Sequence, residues 1–136
     1  MLEIPDCFYR ISVKALVLDS EKRFLLMKQE NGRWDLPGGG LDFGEDHHEG
    51  LAREIQEEMG LVADHIADYP SYFLTDNFKS GVWFSNIIYL ARLSDFNFIP
   101  SDECVEIRFF TREEAEQEDT LVNVKKFIAM YDADRH

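Results

Sequence analysis

Glu54, Glu57 and Glu58 are the residues of this chain whose type and spacing invite chemistry. On a helix, positions i, i+3 and i+4 put three carboxylates on one face. Like charges so placed repel, and each i,i+4 pair costs a few tenths of a kcal/mol. A divalent cation would turn that repulsion into a binding site. Hard divalent cations select carboxylate, carbonyl and water oxygens.

The helix that must carry these groups is predicted from about Asp46 to Met59. Leu51, Ile55 and Met59 form its apolar stripe, and Gly60 stands where a left-handed stop is expected. Ahead of it, Gly38-Gly39-Gly40 permits positive φ and close approach of another group. Leu36 precedes a proline and is pushed toward extended backbone, so Trp34–Pro37 reads as a short extended piece.

Farther out, Ile11–Asp19 and Arg23–Gln29 read as two strands joined by Ser20-Glu21-Lys22, with a turn at Asn31-Gly32. Strands are also predicted at Tyr69–Asp76, at Val82–Leu93 and at Cys104–Phe110. Thr111-Arg112-Glu113-Glu114 has the form of a helix start, and Leu121–Tyr131 has helical spacing of apolar residues. Hairpins and helices in this order indicate an α/β fold around a mixed central β-sheet. Helices on both faces would make it a three-layer α/β/α sandwich.

The chain has 136 residues, 45% of them hydrophobic, which suits one domain over residues 1–136. Acidic residues number 27 against 14 basic, for a net charge of −13. A surface so acidic argues against duplex nucleic acid and against a membrane. A small phosphorylated ligand stays compatible, because bound metal ions reverse the field locally. Met1–Asp6 has no basic and apolar pattern of a leader, and no apolar run has membrane-spanning length, so the cytoplasm is the expectation. Cys7 and Cys104 have no CxxC spacing and read as buried small hydrophobes.

The segment Gly39–Leu61 resembles the Nudix box, G-x5-E-x7-R-E-U-x-E-E-x-G-U, where U is aliphatic. Gly39, Glu45, Arg53, Glu54, Ile55, Glu57, Glu58, Gly60 and Leu61 fill every specified position. From average residue frequencies, a chance match is on the order of one in a million. The flanking order of strands also resembles the Nudix fold.

The resemblance implies hydrolysis of a nucleoside diphosphate linked to another moiety, with Mg²⁺ or Mn²⁺ as cofactor. Glu57 and Glu58 match metal ligands, Glu54 a ligand or the group that orients the attacking water, and the Gly38 carbonyl a further ligand. Glu54, Arg53 and Glu103 are then the catalytic set. Arg53 is also expected to pair with Glu45, so that Gly39, Glu45 and Arg53 hold the carboxylates in place. Glu106 is the alternative to Glu103, since the family's base sometimes lies on a later loop. Glu57→Gln is expected to cost much of the turnover with the fold intact. Substrate specificity is expected from Asp64–Gly81 and Asp95–Cys104, and a homodimer is implied by resemblance alone.

Other residues have ordinary readings beside functional ones. His47 and His48 read as surface. Phe78 and Trp83 are the aromatics that would best stack on a base, although most aromatics are core. Arg10 and Lys28 read as solvated charges rather than phosphate ligands. Two other functions compete with hydrolysis. A nucleotide-sensing module of the same fold would ordinarily have lost box glutamates, and an acidic metal buffer would not need Gly39, Arg53 and Gly60 in register.

Overall fold

The computed structural model describes residues 7–136; the Met1–Asp6 reading lies outside them. The elements run β1 (Arg10–Leu16), β2 (Phe24–Lys28), β3 (Trp34–Asp35), β4 (Gly38–Gly40), α1 (His47–Met59), β5 (Ala63–Ile66), β6 (Tyr72–Asn77), β7 (Trp83–Leu93), β8 (Glu106–Phe110), α2 (Arg112–Glu116) and α3 (Val122–Met130). A 3₁₀ turn at Ala133–Arg135 follows.

Strand β7, the most apolar run, organises the larger sheet. It pairs in parallel with β1 along one edge and antiparallel with β6 and then β5 along the other. β4 pairs antiparallel with the outer side of β1. A second, three-stranded antiparallel sheet has the order β3-β2-β8. The strands therefore divide between a mixed sheet and a small antiparallel one.

Alternation along the strands builds two cores. Val13, Ala15, Val17, Leu25 and Met27 point toward the Leu51-Ile55-Met59 stripe of α1. Leu16, Phe24 and Leu26 point the other way, toward Val124, Phe127 and Ile128 of α3. Strands buried on both faces need apolar residues at consecutive positions, which is why β2 reads as a near-continuous apolar run and β1 becomes apolar toward Leu16. The three layers expected from the sequence are present.

Sequence and structure differ locally. β5 is not predicted because Ala63-Asp64-His65-Ile66 carries little β signal, and its pairing with β7 is irregular between Ala63 and His65. The three glycines form a strand, and only Gly38 among them uses the positive φ that the run permits. Cys7 is exposed and Cys104 is buried, so the buried reading holds for one thiol only. Burial pushes the Cys104 thiol up to about 11.

The carboxylate cleft on helix α1

Helix α1 is delimited as its residues require. The Asp46 side chain accepts from the His48 and Glu49 amides at the N-terminus, and Gly60 closes the C-terminus at φ 65°. At about 100° per residue, Glu58 falls about 20° from Leu51, inside the apolar stripe. Glu54 lies at the margin of the stripe, and Glu57 about 120° away. Burial follows that wheel: Glu58 is 5% exposed, whereas the Glu54 side chain is 15% and that of Glu57 54% exposed.

Glu54, Glu58 and Glu103 come together, with one carboxylate oxygen of each within 4.8 Å of the others. Glu103 arrives from the loop between β7 and β8. Glu57 is not part of this cluster. It turns toward Arg53, whose Nη1 lies 3.1 Å from its Oε2. Glu106 is not part of it either, because its carboxylate takes the Arg108 guanidinium at 2.8 Å. Of the two candidates outside the box, the structure brings Glu103 to the helix.

Arg53 stands behind the cluster and forms the expected pair. Its Nε and Nη2 donate to Glu45 at 2.7 and 2.9 Å, and Nη1 lies 3.4 Å from Glu54 Oε1. This fork holds the Glu45 carboxylate down to about 2, with the Asp42 amide helping. Gly39 lies against the Glu54 carboxylate so closely that a Cβ there would sit 2.8 Å from it. The glycine thus lets β4 approach the acid.

The cleft measures about 740 Å³ and is lined by Lys14, Asp35, Gly38, Gly39, Gly40, Glu54, Glu58, Asp102 and Glu103, among others. Its floor holds groups that sequence reasoning does not single out. Lys14 is 5% exposed. Its ammonium donates to Asp35 Oδ2 at 3.0 Å, to the Leu36 carbonyl at 3.3 Å and to the Gly38 carbonyl at 2.8 Å. Asp35 Oδ1 accepts from the Leu36 amide and from Asn123, which also donates to Asn86. The signal for Lys14 is a lysine between Val13 and Ala15, at the buried end of β1. Its partner, twenty-one residues away, has no local signature.

The Gly38 amide donates to Glu58 Oε1 at 2.9 Å. One residue is therefore held at its amide by a buried carboxylate and at its carbonyl by a buried ammonium. The Gly38 carbonyl, expected to face a metal, already takes Lys14 with one lone pair. Burial pushes the Glu58 carboxyl up to about 8, opposed by Lys14 and the Gly38 amide. Burial also raises Glu54, while Arg53 lowers it and Glu57 and Glu103 raise it further. Carboxylates that resist ionisation together, Glu54 and Glu58 with Glu103 beside them, suit a hard divalent ion.

The remaining expectations divide. The Phe78 ring stacks on Phe84 at 4.4 Å and lines a second cavity of about 810 Å³ with Arg33, Lys79, Asp119 and Lys125. Trp83 instead meets Tyr9 edge-on at 6.0 Å. Lys28 lies over the Trp34 ring, and the Arg10 guanidinium packs where a Gly40 side chain would be. His48 is half-buried against Tyr89, which corrects its surface reading; the His47 ring, exposed, stacks on the same tyrosine.

Fold and cleft together define a three-layer α/β sandwich whose helix, strand and loop deliver carboxylates to one opening. The family model described as NUDIX domain matches residues 8–131, and the chain belongs to that family. It is similar to an RNA pyrophosphohydrolase of Ruthia magnifica, 33% identical over an alignment of 94 residues that covers 56% of this chain and 52% of that one. A second RNA pyrophosphohydrolase, from Campylobacter jejuni, is 28% identical over 90% of this chain and 82% of its own length. The first three curated relatives are matched over 52%, 43% and 35% of their lengths, so this chain spans about half of each or less. The crystal structure of a MutT protein from Methanosarcina mazei is similar throughout, with TM-score 0.77, 26% identity, and 99% and 97% of the two chains covered. Among the described residues, no helix is long and apolar enough to cross a membrane.

Proposed function

We propose that the chain is a divalent-metal-dependent pyrophosphohydrolase of nucleoside diphosphates linked to another moiety, most readily (d)NTPs or related nucleotides. The observation that carries this reading is the convergence of Glu54, Glu58 and Glu103 within 4.8 Å in the cleft. Relatives named RNA pyrophosphohydrolase support the reaction class and make a 5′-pyrophosphorylated RNA end a further candidate substrate.

Glu58 and Glu54 would hold the Mg²⁺ or Mn²⁺ ion, with the second lone pair of the Gly38 carbonyl available beside them. A bound divalent ion would neutralise phosphate oxygens and acidify its water. Glu103, exposed on its loop, would accept the proton of the attacking water, and its convergence with Glu54 and Glu58 supports that role. The water oxygen bonds to phosphorus, the anhydride P–O bond breaks, and the leaving phosphate departs with the electron pair. Arg53 and Glu45 keep Glu54 oriented. Glu57 stands one position from Glu58 and is held by Arg53, so its contribution is tested against the others rather than assumed.

The experiment is phosphate or pyrophosphate release from a panel of nucleotides and pyrophosphorylated RNA, with Mg²⁺ or Mn²⁺, for the parent, Glu58→Gln and Glu57→Gln. Turnover by the parent on at least one diphosphate is expected. None on any would leave a nucleotide-binding module. We place the nucleoside end beside Phe78, in the cavity that this ring lines with Arg33, Lys79 and Lys125. Phe78→Ala is then expected to raise KM about tenfold, the lower part of the stacking range of about 1–3 kcal/mol per base, with kcat little changed. An unchanged KM on every turned-over substrate would move the base elsewhere.

A further inference from the structure

The loop that delivers Glu103 is fastened to the end of α1 by one side chain. Ser101 Oγ donates to the Glu58 carbonyl oxygen at 2.7 Å. The hydroxyl in turn accepts from the Glu103 and Cys104 amides, each at 3.2 Å. Two residues earlier, the Ile99 amide donates to the Met59 carbonyl at 2.8 Å. The last carbonyls of a helix have no partner within it. Here the loop supplies partners at Glu58 and Met59, so the loop and the helix terminus form one unit.

That fastening bears on the cleft because of which residues it joins. Glu58 presents its carboxylate to the cluster and its carbonyl to Ser101. Glu103 presents its carboxylate to the cluster and its amide to Ser101. The Glu103 side chain is exposed, and an exposed glutamate on a free loop would spread over many rotamers and backbone states. The Ser101–Cys104 turn, closed by backbone hydrogen bonds in both directions, narrows that spread only if the turn is itself tied to α1.

We propose that Ser101 is a positioning residue that sets the distance of the Glu103 carboxylate from Glu54 and Glu58 by bonding the loop to the Glu58 backbone. It acts through Glu103 and touches neither substrate nor cation. The inference rests on the proposed reading of Glu103 as the acid that meets Glu54 and Glu58 and bonds the water beside the cation.

The test is a double-mutant cycle of Ser101→Ala and Glu103→Gln, with Ser101→Thr as the conservative variant. Mn²⁺ affinity is read from the resonance of the free ion, alongside kcat and KM. Ser101→Ala is expected to weaken Mn²⁺ binding and lower kcat by about tenfold each, the scale of losses when a ligand's supporting partner is removed. KM should stay within about twofold, because the substrate's own contacts are untouched. Ser101→Thr should restore most of both losses. In the Glu103→Gln background, Ser101→Ala should add little, since its route of action is already gone. Equal losses in both backgrounds would overturn the proposal and leave Ser101 as a helix cap. Parent-like Mn²⁺ affinity and kcat in Glu103→Gln alone would instead remove Glu103 from the site, and the role of Ser101 with it.

Discussion

Glu58→Gln is expected to lower turnover by at least about a thousandfold, on the order of 4 kcal/mol of barrier, while leaving the apo fold as stable as the parent or more so. The two effects share a cause. Glu58 lies inside the apolar stripe of α1 at 5% exposure, and burial pushes its carboxyl up to about 8. Its ionised form is what a cation needs and what the fold resists. Glutamine keeps an oxygen for the Gly38 amide and removes the charge.

The pH dependence follows with a definite sign. Glu58 titrates at about 8 in the folded chain against 4.5 ordinarily. Between those values the folded state holds a proton that the unfolded state has lost. Stability contributed by this group is therefore full below about pH 4.5 and falls as pH rises toward 8, by at most about 1.4 kcal/mol per pH unit. Urea unfolding of the metal-free parent should show that decline, and Glu58→Gln should flatten it. Mg²⁺ should raise the melting temperature of the parent and not of the variant, because only a state that binds the ion is stabilised by it. A variant that melts well below the parent at pH 8 without metal would show that the fold does not resist the Glu58 charge.

Lys14→Met is expected to cost about 3–5 kcal/mol of stability, the range for breaking one side of a buried ion pair. Lys14 and Asp35 meet at 3.0 Å with side chains 6% and 9% exposed. Without the ammonium, the Asp35 carboxylate keeps only the Leu36 amide and Asn123 as donors, and the Leu36 and Gly38 carbonyls lose theirs. Adding Asp35→Asn should recover a large part of the loss by removing the orphaned charge. Midpoints and slopes of urea unfolding for the three chains measure this. A single-variant loss below about 1 kcal/mol, the scale of a solvent-screened surface pair, would mean that the pair is not a buried one.

Much of the site is legible in the amino-acid sequence. Asp46 and Gly60 frame the helix, Leu51, Ile55 and Met59 mark its core face, and the places of Arg53 and Glu45 in the box foretell their fork. The helical wheel also holds a distinction that a count of glutamates hides. Glu58 falls among the apolar positions and Glu57 opposite them, which separates a buried acid from a surface one paired with Arg53. Local periodicity is enough for each of these, because a helix maps spacing onto direction.

The choice of Glu103 over Glu106 lies beyond such reasoning. Both lie near the start of the same strand region, and their difference arises from the loop's attachment to α1 through Ser101 and Ile99. β5 escapes sequence reasoning for a similar reason: its pairing with β7 is imposed by the neighbour rather than by its own residues.

The sequence by itself determined the family, the layered architecture and the helix that carries Glu54, Glu57 and Glu58, since these are written in short-range spacing and in alternation along strands. Only the tertiary structure decided which acids converge and what lies beneath them. Glu58 meets Glu103 across forty-five positions of chain, and Lys14 meets Asp35 across twenty-one. Contacts of that range depend on the path of the whole backbone, and burial, which sets the charge state of Glu58, exists only once that path is closed.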